Sequence, residues 1–248
     1  MIESLLKLYA RHFPVRLGKY RIIDRFGGRP DTDGGFVRRA RLVYGGYTMD
    51  CDLRKQLQRQ YHYFGTYFLE ERVLEAWSIY ASKAKVVCDG GANAGIYSLA
   101  AAAVHPMSEI YAFEPTPEIA AHLNDTALMN GLVDRLHVHA VAVGDRRGSI
   151  FLNRFSGEND GNEGMNFVST ECRAASSLEV PMVSLDEFCL ATGLQSIDLL
   201  KVDVQGNEPA VFDGARGLIA RGSIGTIFFE LNWNILLCVI FSDFAHIA

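Results

Sequence analysis

The chain has 248 residues, with 24 Lys and Arg against 29 Asp and Glu and a formal charge of -5. That length accommodates one α/β domain with a modest extension, and a charge balance this even leaves no basic footprint for a nucleic-acid partner. Hydrophobic residues make up 49%, too many for a disordered chain and enough for a sizeable core.

The first twenty residues lack the long apolar core and small-residue cleavage site of a secretory signal. Leu5, Leu6 and Leu8 with Lys7 and Arg11 predict a short amphipathic helix packed on its own domain. Gly27, Gly28, Pro30, Asp31, Asp33, Gly34 and Gly35 form a dense turn region. Arg41–Tyr44 and Tyr47–Leu53 flank Gly45 and Gly46 and predict a β-hairpin. An aromatic run, Tyr61 to Phe68, leads into a helix over Glu70–Tyr80. The five cysteines, Cys51, Cys88, Cys172, Cys189 and Cys238, form no CxxC pair. Reduced thiols in a cytoplasmic protein are therefore expected, rather than disulfides or a zinc site.

From Lys85 onward strands alternate with helices. Lys85–Cys88 predicts a strand ending at Asp89, Asn93–Val104 a helix, Glu109–Phe113 a strand ending at Glu114, and Pro117–Met129 a helix with Thr116 as its cap. Leu136–Val143 reads as a third strand. His137 and His139 share a face of it, but no acidic cluster accompanies them, so packing rather than metal binding is expected. Leu152–Val180 breaks the rhythm and reads as a long Gly-, Asn- and Ser-rich loop. Ser184–Leu190 is a capped helix with Glu187 three residues after Ser184, Ile197–Val204 a buried strand, Glu208–Ala220 a helix and Ile224–Glu230 a strand. The longest apolar stretch, Ile224–Phe241, is interrupted by Glu230, Asn232 and Asn234 and fails as a membrane span. Repeated βαβ units of these lengths imply an α/β fold with a parallel sheet and helices on both faces.

The chemistry concentrates at Asp89-Gly90-Gly91-Ala92-Asn93-Ala94-Gly95, where a strand runs through a turn of small residues into a helix. Small residues admit a ligand close to the backbone, and a helix start is expected to offer unpaired N–H groups. The GxGxxG spacing of a dinucleotide turn is not met, because Asn93 stands at the second glycine position. Asp89 at the strand end would repel a diphosphate but suits the ammonium of an amino-acid moiety, directly or through water. Glu114, at the end of the next strand, can accept hydrogen bonds from both hydroxyls of a ribose.

Asp89-x-Gly91-Ala92-Asn93-x-Gly95 followed by Phe113-Glu114-Pro115 resembles the FkbM family of methyltransferases. Val183-Ser184-Leu185-Asp186-Glu187, Leu199-Leu200-Lys201-Val202-Asp203-Val204-Gln205-Gly206-Asn207-Glu208 and Phe228-Phe229-Glu230 continue the resemblance in the family's order, over roughly Val86–Asn232. It implies a Rossmann-like class I methyltransferase fold, with S-adenosylmethionine as donor and a hydroxyl of a sugar, polyketide or lipid-like metabolite as acceptor. It places Asp89, Gly91, Ala92, Asn93 and Gly95 on the methionine side, Glu114 at the ribose, and Ala142 and Val143 near the adenine. Residues 83–248 would be the cofactor-binding domain, and residues 1–82 an extension of helix, hairpin and helix beside the acceptor.

A hydroxyl must lose its proton as it attacks a methyl group, and Asp203 stands at the C-terminal end of a core strand. Asp203 is therefore the candidate base, with Lys201 and Glu208 as supporting polar groups. Family members usually close the sheet with a further helix and an antiparallel strand pair. Here only Ile235–Phe241 remains to form one strand, so either the sheet is truncated at that edge or the sequence is incomplete or altered there. An exposed apolar end would favour self-association into a homo-oligomer. An NAD-dependent oxidoreductase and a cofactor-binding relic without turnover are the competing readings.

Overall fold

The computed structural model describes residues 2–13, 18–27, 35–153, 167–169, 177–230 and 237–241. The chain opens with helices α1 (Ile2–His12) and α2 (Lys19–Phe26), the hairpin β1 (Val37–Arg41) and β2 (Thr48–Asp52), and helix α3 (Gln56–Phe64). The hairpin pairs in antiparallel register from Val37↔Asp52 to Arg41↔Thr48. Its loop is wider than the Gly45-Gly46 turn alone, because Leu42 donates to the Tyr47 carbonyl outside the ladder. A 3-10 turn at Phe68–Glu70 leads into α4 (Glu71–Ala81).

The alternating part follows as β3 (Val86–Gly90), α5 (Ile96–Val104), β4 (Glu109–Phe113), α6 (Pro117–Met129), β5 (Leu136–His139) and β6 (Ala142–Val143). Next come β7 (Gly148–Asn153), β8 (Phe167–Ser169), β9 (Leu178–Val183), α7 (Leu185–Thr192), β10 (Ile197–Val202), α8 (Glu208–Asp213), α9 (Arg216–Ala220), β11 (Ile224–Glu230) and β12 (Leu237–Phe241). The main sheet runs β12-β11-β10-β3-β4-β5. Its pairings are parallel from β11 to β5, and β12 joins β11 antiparallel. This is the expected Rossmann-like architecture, and the segment left for one closing strand forms one.

Period-2 alternation divides the core between the two faces of this sheet. Val87, Ile110, Ala112, Leu199 and Phe228 join one buried cluster with α4, α5 and α6. Their strand neighbours Cys88, Phe113, Leu200, Val202 and Ile227 join another with α7, α8 and α9. The first cluster continues into the N-terminal elements through Ala10, Ile23, Met49 and Tyr61. Trp77, wholly buried, ties these layers together: its indole N–H donates to the Tyr97 carbonyl at 2.9 Å, and its ring packs edge-on against Phe228. The hairpin is fastened to α6, where the Asn130 side chain bonds both backbone groups of Thr48.

Three expectations need correction. The strand expected over Leu136–Val143 is two: β5 ends at His139, and β6 leaves for a second sheet of order β6-β9-β7-β8. Parts of the expected loop are ordered in that sheet, where Leu152 and Val180 share a small core with Ile150 and Met182; residues 154–166 and 170–176 lie outside the described residues. The helix expected over Glu208–Ala220 is interrupted between Asp213 and Arg216. There the Gly214 carbonyl accepts from the Asp186 N–H, and the Asp186 carboxylate accepts from the N–H groups of Gly217 and Leu218 at 2.7 and 2.8 Å, capping the second piece.

Candidate active site

The chain leaves β3 toward β4 and β5 on one side, then crosses to β10 and β11 on the other, so the strand order reverses between β3 and β10. Open α/β sheets bind ligands at such a reversal, beyond the carboxyl ends of the strands. A cavity of about 170 Å³ lies at that end, lined by Gly91, Ala92 and Asn93 after β3, Glu114 after β4, Lys201, Asp203 and Gln205 at the end of β10, and Glu230 at the end of β11. Ala142, Val143, Leu152 and Val168 give it an apolar side, and Leu57, Tyr61, Tyr67 and Glu70 from the N-terminal part complete it.

The two loops that frame the reversal are pressed together at Gly91. This residue has φ +76°, and a Cβ there would collide with the carbonyl oxygen of Asp203. Gly95, with φ +84°, serves packing instead: a Cβ would strike Leu123 of α6, and Gly95 does not line the cavity. Asn93 and Gln205 are the non-glycine residues of positive φ among those described, at 50° and 56°, and both line the cavity. Local strain of this kind collects where a site imposes the backbone conformation.

The turn that leads into the helix keeps its own N–H groups engaged, so a ligand would meet only those of the first helical residues, Ile96 and Tyr97. The N–H groups of Gly91 and Ala92 donate to the Phe113 carbonyl at 3.0 and 2.9 Å, and that of Gly95 to Ala92. Asn93 donates to Glu114 Oε2 at 2.9 Å, and Ala94 to the side chain of Asn93. Glu114 Oε1 accepts from Thr116 N–H at 2.8 Å. The carboxylate of Glu114 is thus held in a fixed attitude with both oxygens engaged.

Asp89 is wholly buried and does not line the cavity. Its Oδ2 accepts from the N–H and hydroxyl of Ser98 at 3.1 and 2.7 Å. Its Oδ1 accepts no hydrogen bond among the described residues and faces Lys201 Nζ at 3.7 Å. The ammonium that meets Asp89 is therefore the protein's own. Lys201, 2% exposed, also donates to Asp203 Oδ2 at 3.1 Å and to the Gly91 carbonyl at 3.3 Å, and it lies over the Tyr97 ring at 4.9 Å. Burial alone would strip the proton from this amine, but Asp203 and Asp89 reverse the effect and hold its pKa above the ordinary lysine value. Lys201 is a permanent buried cation, not a base.

Carboxylates crowd the opposite wall. Burial opposes ionisation of Asp203, but Lys201 and the Gln205 amide outweigh it and keep the carboxyl below its usual range. Gln205 Nε2 spans two acids, at 2.9 Å from Asp203 Oδ1 and 3.4 Å from Glu230 Oε2. Burial and the neighbouring Asp203 push Glu230 up to about 7. Glu70 accepts the Tyr97 hydroxyl at 2.6 Å, and burial raises its pKa too. Glu208 turns away to cap its own loop, accepting from Val204 and Gly206. His137 pairs with Glu109, while His139 stacks on Phe113.

Of the residues singled out in the sequence, the cavity brings together Gly91, Ala92, Asn93, Glu114, Ala142, Val143, Lys201 and Asp203; Asp89 and Gly95 stand behind it. Glu70, Tyr97, Gln205 and Glu230 were missed. Glu230 carried a legible signal, an acid ending a predicted strand just as Asp89 and Glu114 do. Glu70 carried none, since only tertiary packing brings the 3-10 turn before α4 to the cavity.

This architecture defines a Rossmann-like α/β protein with a cavity at the sheet's topological switch. The chain belongs to the methyltransferase FkbM domain family, whose profile matches residues 89–247. A curated relative, the 2-O-methyltransferase NoeI of Sinorhizobium fredii, is 30% identical over 147 residues, 55% of this chain and 59% of that protein. The chain therefore spans about three fifths of that relative's length. Among solved structures, a SAM-dependent methyltransferase from Agrobacterium tumefaciens overlaps 81% of this chain and 54% of its own at 9% identity and a TM-score of 0.44. A methyltransferase from Geobacter sulfurreducens overlaps 63% and 60% at 15% identity and a TM-score of 0.35. Among the described residues, no helix is long and apolar enough to cross a membrane.

Proposed function

We propose that the chain transfers a methyl group from S-adenosylmethionine to a hydroxyl of a small sugar-, polyketide- or lipid-like acceptor. The observation that carries this is the chemistry of the cavity. The five N–H groups from Gly91 to Gly95 already have acceptors, while the lining carries Glu70, Glu114, Asp203 and Glu230 against one lysine. Such a hollow repels a diphosphate and suits a cationic nucleoside, which also weighs against a nicotinamide dinucleotide. The family membership and the O-methyltransferase relative support the same direction.

In this scheme Glu114 accepts from the ribose hydroxyls, Gly91, Ala92 and Asn93 border the methionine portion, and Ala142 and Val143 give the adenine an apolar wall. Asp89 and Gly95 shape the turn from behind. The bound cofactor supplies a methyl group activated on a sulfonium. Lys201 locks the ends of β3 and β10 together, and Tyr61, Tyr67 and Glu70 bring the N-terminal extension to the acceptor side. Holding donor and acceptor in line removes a large part of the barrier, up to about 7–11 kcal/mol.

Calorimetric titration tests the assignment. The folded protein should bind S-adenosylmethionine and S-adenosylhomocysteine with saturable heat and leave NADH unbound. Binding of NADH with no response to either sulfur nucleoside would overturn it.

A further inference from the structure

We propose that Glu230, rather than Asp203, takes the proton from the acceptor hydroxyl, with Asp203, Gln205 and Lys201 as the frame that positions it. This deepens the methyltransferase reading and rests on it.

The hydrogen bonding separates the two acids. Asp203 is committed on both oxygens, Oδ2 to Lys201 and Oδ1 to Gln205. A carboxylate ion-paired to a buried ammonium is a weak proton acceptor, because protonating it would leave that ammonium without its closest partner. Glu230 lines the same cavity from the end of β11 and, among the described residues, forms no ion pair, whereas Asp203 is paired with Lys201. From the frame Glu230 has the long contact from Gln205 and a hydrogen bond shared with the Asp203 carboxyl. The groups that bear on it are acids, Asp203 first, then Glu208 and Glu70, with the Tyr67 phenol nearby. Burial, this like charge and the hydrogen bond with Asp203 raise its pKa to about 7, where a carboxylate is a far better base than at its ordinary value and is still about half ionised at neutral pH. The positive φ of Gln205, 56°, turns its amide back between the two carboxylates.

The step balances as follows. The acceptor oxygen forms a bond to the methyl carbon with a lone pair, and the carbon–sulfur bond breaks with its pair passing to sulfur. The hydroxyl's O–H bond breaks with its electrons kept on oxygen, the proton passes to the Glu230 carboxylate, and solvent later removes it.

Carboxyl-13C-glutamate labelling, with S-adenosylhomocysteine bound, gives a readout that needs no acceptor. One resonance absent from Glu230→Gln should titrate near pH 7, and Asp203→Asn should move that midpoint toward the ordinary glutamate range. A Glu230 midpoint between pH 4 and 5, or one indifferent to Asp203→Asn, would overturn the proposal. With methyl glycosides as acceptor probes, Glu230→Gln should lower kcat by about 100-fold or more and leave S-adenosylhomocysteine affinity within about threefold. The acidic limb of the kcat profile should move to lower pH in Asp203→Asn. Full turnover in Glu230→Gln, or abolition in Asp203→Asn alone, would reassign the base to Asp203. If Glu230→Gln does not fold, Glu230→Asp keeps a titrating carboxyl one methylene short and should retain the acidic limb at reduced kcat; wild-type kcat in it would count against the proposal. If no glycoside is methylated, the titration decides. Failure of the folded wild type to bind S-adenosylhomocysteine would sink the parent reading, whereas binding with an ordinary Glu230 titration would sink the base alone.

Discussion

The two walls of the cavity are built on opposite principles. On the β3–β4 side, from Gly91 to Glu114, each N–H of the turn has an acceptor and each oxygen of Glu114 a donor. On the β10–β11 side, Asp203, Glu230 and Glu70 crowd a single buried cation, and the pKa of Glu230 is displaced as a result. The first wall resembles a mould, stable without ligand. The second holds unfavourable charge that a purely structural surface would shed, which is the signature of groups kept for chemistry.

Substitutions can break this contrast, beginning with the largest effects. Gly91→Ala should destabilise by about 4 kcal/mol or more, since positive φ and a backbone collision act together. Gly95→Ala, with similar φ but only the movable Leu123 side chain in the way, should cost about 1–2 kcal/mol. Denaturant midpoints compare the two, and equal losses would show that the contact with Asp203 does not matter. Lys201→Met keeps the volume but strands two acids, and should cost about 3–5 kcal/mol. A neutral result would mean that the acids simply take up protons.

The smallest effect has the opposite sign. Glu230 titrates at about 7 in the folded protein against 4.5 ordinarily, so the folded state binds that proton more tightly than the unfolded one. Its carboxyl therefore imposes no penalty below about pH 4.5, a growing one as pH rises toward 7, and the full penalty above 7. Glu230→Gln should raise Tm at pH 8 by about 2–4 °C, corresponding to about 1 kcal/mol after solvent screening, and leave it unchanged at pH 4.5. A gain that is the same at both pH values would point to packing rather than charge.

The contrast also explains what the sequence could and could not disclose. The mould is local. Val86–Asp89, the small-residue turn and Glu114 sit within one βαβ unit, so pattern and spacing are enough to bring Gly91, Asn93 and Glu114 to one cavity. Pattern cannot show that the Asp89 carboxylate turns inward to Ser98 and Lys201, because its partner lies 112 positions away. Nor can it show that Gly91 and Gly95 serve different neighbours. The charged wall is assembled from the 3-10 turn before α4 and the ends of β10 and β11, and Glu70 and Tyr97 meet only through tertiary packing. The break between α8 and α9 was legible in part: Gly214 is a helix-ending residue and caps α8, while the second cap comes from Asp186 in another element and is not visible in the pattern.

The central claim is that Glu114 holds the ribose of a sulfonium nucleoside. It is tested most directly by the affinity of S-adenosylhomocysteine and its 2′-deoxy analogue for wild type and Glu114→Gln. A charge-assisted hydrogen bond lost with the hydroxyl should weaken wild-type binding by about 1.5–3 kcal/mol, and the same change should matter little once Glu114 is gone. Equal penalties in both proteins, or no binding of either ligand to the folded wild type, would contradict the account.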